Sequence, residues 1–169
     1  MENDRLRERQ RQLPGQFSNM SVMSTLGIRP GGGCHFLAKG YAAMARQLLP
    51  LVNKYNYGVE SKVTVTAPNL QSVSYTSARK DEITLVFDQD VTWDDEVALR
   101  FRLDDESAEL NSIGGTGKII TLKLAKPSTA KNLSYVRGGK WRQEDAIIWG
   151  SNGIAALTFC EVPIRLPRS

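Results

Sequence analysis

Glu82-Ile83-Thr84-Leu85-Val86-Phe87 alternates in the period-two manner of a half-buried strand, and it sets the reading of everything after Gly58. Val97 to Leu103 repeats the pattern, with Val97, Leu99, Phe101 and Leu103 expected on one side and Ala98, Arg100 and Arg102 on the other. Lys118 to Leu124 does so again through Ile120, Leu122 and Leu124. Further strands are expected at Ser72–Thr76, Ala108–Ser112, Asn132–Val136, Ala146–Trp149 and Leu157–Ile164. Turn signals separate them at Gly114-Gly115, Lys126-Pro127-Ser128, Gly138-Gly139 and Gly150-Ser151-Asn152-Gly153.

Short strands at this spacing point to a β-sandwich of the immunoglobulin type, for which about a hundred residues suffice. Residues 61–169 supply them. The sequence before that boundary has a different grammar. Residues 3–13 are good helix formers, with Asn3 or Asp4 as the expected N-cap and Pro14-Gly15 as the stop. Only Leu6 and Leu13 are apolar there, so this helix must lie on something larger. Phe17 to Thr25, with Met20, Val22 and Met23 among small polar residues, reads as one buried strand. Pro30 and the glycines of Gly31-Gly32-Gly33 forbid regular structure and make a loop that delivers His35. From about Ala38 to Tyr55 a helical period returns, and Tyr41, Met44, Ala45, Leu48, Leu49 and Val52 form one face. Pro50 is expected to kink or divide that helix.

Sixty residues with one strand and two helices bury little apolar surface alone. Helix–strand–helix is the order of the last unit of an α/β sheet. The expected fold is therefore α+β: a partial α/β segment over residues 1–60, then an all-β immunoglobulin-like sandwich over residues 61–169. The apolar face from Tyr41 to Val52 then needs a cover, and self-association through this helix is one expectation.

Composition narrows the function classes. The chain has 169 residues, 41% hydrophobic and 24% charged, and no apolar run of the ~18 residues that a membrane-spanning helix needs. Met1-Glu2-Asn3-Asp4-Arg5 has no apolar h-region, so no secretory signal is read in this chain. One histidine and two cysteines cannot build a Cys₂His₂ or Cys₄ zinc site, and no metal or other cofactor is expected. Residues 1–60 hold eight Lys/Arg and four Asp/Glu, whereas residues 61–169 hold fourteen of each. The excess base includes Arg5, Arg7, Arg9 and Arg11, whose spacing of two scatters them around a helix beside Asp4 and Glu8. That pattern reads as a solvated helix face, and no nucleic-acid or membrane partner is expected.

Leu6-Arg7-Glu8-Arg9-Gln10, Asn19-Met20-Ser21-Val22-Met23-Ser24-Thr25, Cys34-His35 and Gly40-Tyr41 occur in an order that resembles the C-terminal end of the SGNH (GDSL-like) hydrolases. Within that family the series is most similar to the sialate O-acetylesterase-like carbohydrate esterases, over about residues 4–55. The resemblance implies an α/β serine hydrolase acting on acetylated sugars, often exported, with His35 as the catalytic general base. The chain departs from the family pattern in two ways. The Ser nucleophile block is nowhere in it, so the isolated chain is expected to be inactive. The positions three and two before His35, where the family places an Asp, hold Gly32 and Gly33. Asp81 to Val91 is similar to a strand of bacterial Ig-like modules, which implies the alternative of a non-catalytic module contacting glycan or protein.

Trp93 and Trp141 lie in polar surroundings and are candidates for stacking on a sugar, whereas Trp149 ends an apolar alternation and reads as core. Asp88, Asp90, Asp94, Asp95 and Glu96 lack the spacing of a calcium loop and read as an acidic solvent-facing connection. Cys160 lies in an apolar strand and reads as a buried thiol. A bond from it to Cys34 stays open, while a nucleophilic role for Cys34 has no orienting partner in view.

Overall fold

Alternation in the second part of the chain builds two antiparallel sheets. The computed structural model describes residues 2–30, 35–138 and 142–167. The first sheet is made of β1 (Leu70–Tyr75), β2 (Glu82–Phe87), β6 (Leu110–Thr116) and β7 (Ile119–Leu124), in the order β1-β2-β7-β6. The second is made of β4 (Phe101–Leu103), β5 (Glu106–Ser107), β8 (Asn132–Tyr135) and β10 (Phe159–Pro163), in the order β10-β8-β4-β5. A short ribbon pairs β3 (Val91–Thr92) with β9 (Trp149–Gly150). The sheets share one apolar core. Ile83, Leu85 and Phe87 of β2 and Ile120 and Leu122 of β7 meet Phe101, Leu133, Tyr135 and Phe159 from the opposite sheet. Tyr135 is buried with its hydroxyl accepting the Ile148 N–H at 2.7 Å, and burial raises its pKa far above the ordinary phenol value.

One strand expectation and one turn expectation fail here for local reasons. Val97–Leu103 is not one strand: Asp95–Arg100 forms a 3-10 helix and only Phe101–Leu103 extends. Val97 and Phe101 still reach the core, but Leu99 is turned out and is 77% exposed. Gly114-Gly115 is not the turn but part of β6; the reversal comes at Gly117, in the left-handed region at φ 58°. Gly115 is needed because a Cβ there would stand 2.1 Å from the Ile119 carbonyl oxygen.

The first part of the chain contributes helix α1 (Glu2–Gln12) and helix α2 (Ala38–Tyr57). Asn3 and Asp4 lie inside the first turn of α1 instead of capping it. Pro50 does not divide α2, which runs through it to Tyr57 and ends at Gly58 in the left-handed conformation. The strand expected over Phe17–Thr25 is absent: this segment has no β-partner. Among the described residues no helix is long and apolar enough to cross a membrane. The result is a mixed helical and antiparallel-sheet architecture, in keeping with the α+β class.

α1 is tied down by charge. Glu8, buried, accepts from the Cys160 backbone N–H at 3.1 Å and from Arg11 Nη2 at 2.6 Å. Arg11, also buried, donates from Nη1 to Asn69 Oδ1 at 2.7 Å and to the Leu70 carbonyl at 2.9 Å. Asp4 pairs with Arg7 and accepts from the Gly138 N–H at 3.2 Å. The expected solvated face is thus partly an internal polar contact, because each buried charge finds an opposite charge or a backbone group that would otherwise lack a partner.

Candidate functional site

His35 occupies a bend between two anchored stretches. On its N-terminal side Leu26 and Ile28 are buried, and Gly27 passes so close to Trp149 that a Cβ there would come within 2.3 Å of the indole ring. Arg29 Nε donates to the Gln143 carbonyl at 3.3 Å. On the C-terminal side Phe36 packs edge-on against Tyr41, with ring centroids 5.8 Å apart. Gly40 lies beneath the Pro30 carbonyl, where a Cβ would stand 2.5 Å from that oxygen. The described stretches on either side, 26–30 and 36–41, are thus packed, and the imidazole is exposed to solvent; the glycine-rich loop expected over 31–33 lies outside the described residues. Among the described residues no carboxylate or hydroxyl makes a hydrogen bond to His35. Ser24, near it in sequence, is spoken for: its hydroxyl donates to the Ala156 carbonyl and accepts from the Leu26 N–H, each at 3.3 Å. Proton transfer by an exposed base is the chemistry this arrangement offers; nucleophile and oxyanion donors would have to come from elsewhere.

The aromatic candidates are not assembled into a platform by the described residues. Trp93 is half-buried and packs against the core, as does Trp149. Trp141 and Cys34 lie outside the described residues. Cys160 is a free, buried thiol, and burial pushes its pKa up. Asp88 uses its carboxylate to accept the Asn69 N–H at 2.9 Å. Among the described residues no three His, Cys, Asp or Glu side chains converge as a metal site would require.

A cleft of about 750 Å³ opens between the 18–22 segment, the C-terminal turns of α2 and residues 66–69. Asn19, Ser21, Val22, Val52, Tyr55 and Asn69 are among its lining, and His35 is not. This cleft and the buried Glu8–Arg11 pair were missed by sequence reasoning. The pair had a signal, an acid three residues before an arginine on one helix. The cleft had none, since it arises from where α2 comes to rest.

No protein-family model matches the sequence, and no curated protein matches it. Among solved structures the fold is similar to a carbohydrate acetylesterase from Xanthomonas citri, with a TM-score of 0.54 and 14% identity. The likeness covers 72% of this chain and 28% of that one, so the chain matches a minor part of the larger structure. It bears on the fold, which is carbohydrate-esterase-like at this coarse level.

Proposed function

We propose that this chain is the C-terminal portion of a carbohydrate O-acetylesterase of the sialate-type SGNH branch. Residues 1–60 close its catalytic α/β domain and residues 61–169 form an Ig-like sandwich behind it. The observation that carries the reading is the fold likeness to a carbohydrate acetylesterase over 72% of this chain and only 28% of the other. The exposure of His35 next to the packed Phe36 and Tyr41 supports it, because a general base must be open to substrate.

In this reading His35 takes the proton of a serine hydroxyl as the oxygen attacks the acetyl carbonyl. It then returns a proton to the departing sugar alcohol. With glycine at both positions where the family pattern places an Asp, a backbone carbonyl orients the imidazole. A histidine without a nucleophile performs no acyl transfer, so the chain acts only together with a nucleophile-bearing portion.

The DNA immediately 5′ of the Met1 codon tests this. An in-frame Gly-Asp-Ser block is expected there. The protein read through from it should hydrolyse acetylated sugars and lose about 10²–10⁴-fold in rate on His35→Ala. The chain by itself should hydrolyse p-nitrophenyl acetate no faster than its His35→Ala form. Stoichiometric labelling of the chain alone by a fluorophosphonate, with His35-dependent turnover, would overturn the proposal. So would a read-through enzyme indifferent to His35.

A further inference from the structure

We infer that Trp149 is a positioning residue for His35, which makes the β-sandwich a working part of the site and not an appendage to it. The catalytic meaning of this rests on the esterase reading; the seating of the histidine does not. The contacts start in the β part. Trp149 is held on both sides, its backbone pairing with Thr92 in the β3–β9 ribbon and with Ala155 after the following turn. Its indole packs against the sandwich core. A ring backed in this way is a firm surface for whatever lies on it, because close-packed interiors yield little.

Gly27 lies on that surface. An ideal Cβ there would stand 2.3 Å from Trp149 Cη2, 2.7 Å from Trp149 Cζ2 and 3.0 Å from Ile147 Cδ1, so the backbone itself rests on the ring edge. The residues beside it are placed by the same part of the molecule. Leu26 joins the sandwich core, Ile28 is buried, and Arg29 Nε donates to the Gln143 carbonyl at 3.3 Å. Pro30 carries the placement across to the histidine. Its carbonyl oxygen lies 2.5 Å from the ideal Cβ position of Gly40, and Phe36 Cβ lies 3.0 Å from the same point. Gly40 therefore has Pro30 on it from before His35 in sequence and Phe36 from after it. Phe36 is bonded to His35, and its ring meets Tyr41 edge-on at 5.8 Å. A displacement at Gly27 passes by way of Pro30 and Gly40 to Phe36 and His35, since packed backbone contacts transmit strain. A general base moved in this way no longer meets the proton it must take at hydrogen-bond distance.

The test uses the full chain, whose single histidine gives one imidazole Cε1–Hε1 resonance, and the enzyme read through from the upstream block. Trp149→Phe and Gly27→Ala should each move that resonance. Each should also lower kcat of the read-through enzyme by roughly 10²-fold with KM unchanged. Ile120→Val, which loosens the same core from β7, should leave resonance and kcat where they are. In the double variant of Gly27→Ala with Trp149→Phe the displacements should not add, because phenylalanine does not reach as far as the indole Cη2 that opposes a methyl at position 27. If Trp149→Phe misfolds, Gly27→Ala carries the test. A His35 resonance that stays in place in both single variants would overturn the inference, as would one moved equally by Ile120→Val or moved additively in the double variant. A read-through enzyme inactive in its parent form would sink the esterase reading alone, with the resonance still deciding what seats His35.

Discussion

The two parts of this molecule meet their backbone and apolar obligations in opposite ways. In the β part each strand finds a neighbour, and the apolar faces of two sheets close on each other until Ile83, Leu85, Ile120, Leu122 and Leu133 are sealed from solvent. The helical part borrows. α1 depends on ion pairs and backbone groups of the β part, and Leu26 is lent to the β core. α2 buries Leu51 but leaves Leu49 57% exposed, and Phe17–Thr25 before it joins no sheet. Antiparallel strands joined by short turns are satisfied locally, whereas the segment between the two helices is satisfied by side-chain contacts to residues far along the chain, Val22 on Ala67, Ile154 and Leu157 and Ser24 on the Ala156 carbonyl.

The sharpest way to break this comparison is to separate the parts. Residues 61–169 produced alone should show a cooperative melt and dispersed amide resonances, and residues 1–60 should show neither. A folded 1–60 fragment would mean that the helical part borrows nothing. Within the intact chain, Phe87→Ala should cost about 3–5 kcal/mol in denaturant unfolding, because it empties the middle of the shared core. Leu49→Ala should stay within about 0.5 kcal/mol, since its side chain already meets water.

Glu8→Ala examines the junction. It leaves Arg11 buried without its carboxylate and the Cys160 N–H without its acceptor, and should cost roughly 3 kcal/mol. Cys160 should then react with a thiol reagent well before global unfolding. If the thiol stays as slow as in the parent chain, α1 is not held by this pair.

The smallest effect expected is one of pH. Hydrogen bonding from Arg5, helped by the charges of Arg5 and Arg137, holds the Glu161 carboxyl below its ordinary range. A carboxylate with a lowered folded pKa favours the folded state above its unfolded value of about 4.3, and that contribution is lost as pH falls through the folded value. Thermal melts between neutral pH and pH 3 should show a slightly shallower acid limb for Glu161→Gln than for the parent. An identical limb would show that this exposed contact adds nothing measurable.

Much of the fold was legible because its signals are local. β2 lies where the Glu82–Phe87 alternation puts it, and α1 and α2 lie close to their predicted ranges. The errors occurred where local signals compete. Val97–Leu103 has the alternation of a strand, but Asp94 to Glu96 favour a helical turn, with the Val97 N–H donating to the Asp94 carbonyl at 2.9 Å. The candidate site was legible only in part. The glycine-rich loop expected before His35 falls on residues 31–33, outside the described residues, and the contacts of the stretches that flank it could not be read from the sequence. Gly27 against Trp149 and Gly40 against Pro30 join residues brought close by folding.

The sequence by itself determined the alternation of β2 and β7, the helical period of α2, and a single histidine with no nucleophile block, since these depend on near neighbours along the chain. Only the tertiary structure decided that Glu8 and Arg11 are internal while Leu49 is not. A charge is buried where its partners happen to converge, and an apolar side chain stays exposed where nothing arrives to cover it. It also decided that Phe17–Thr25 joins no sheet among the described residues, because strand pairing is a property of two segments and the pattern of one does not state whether the other is present.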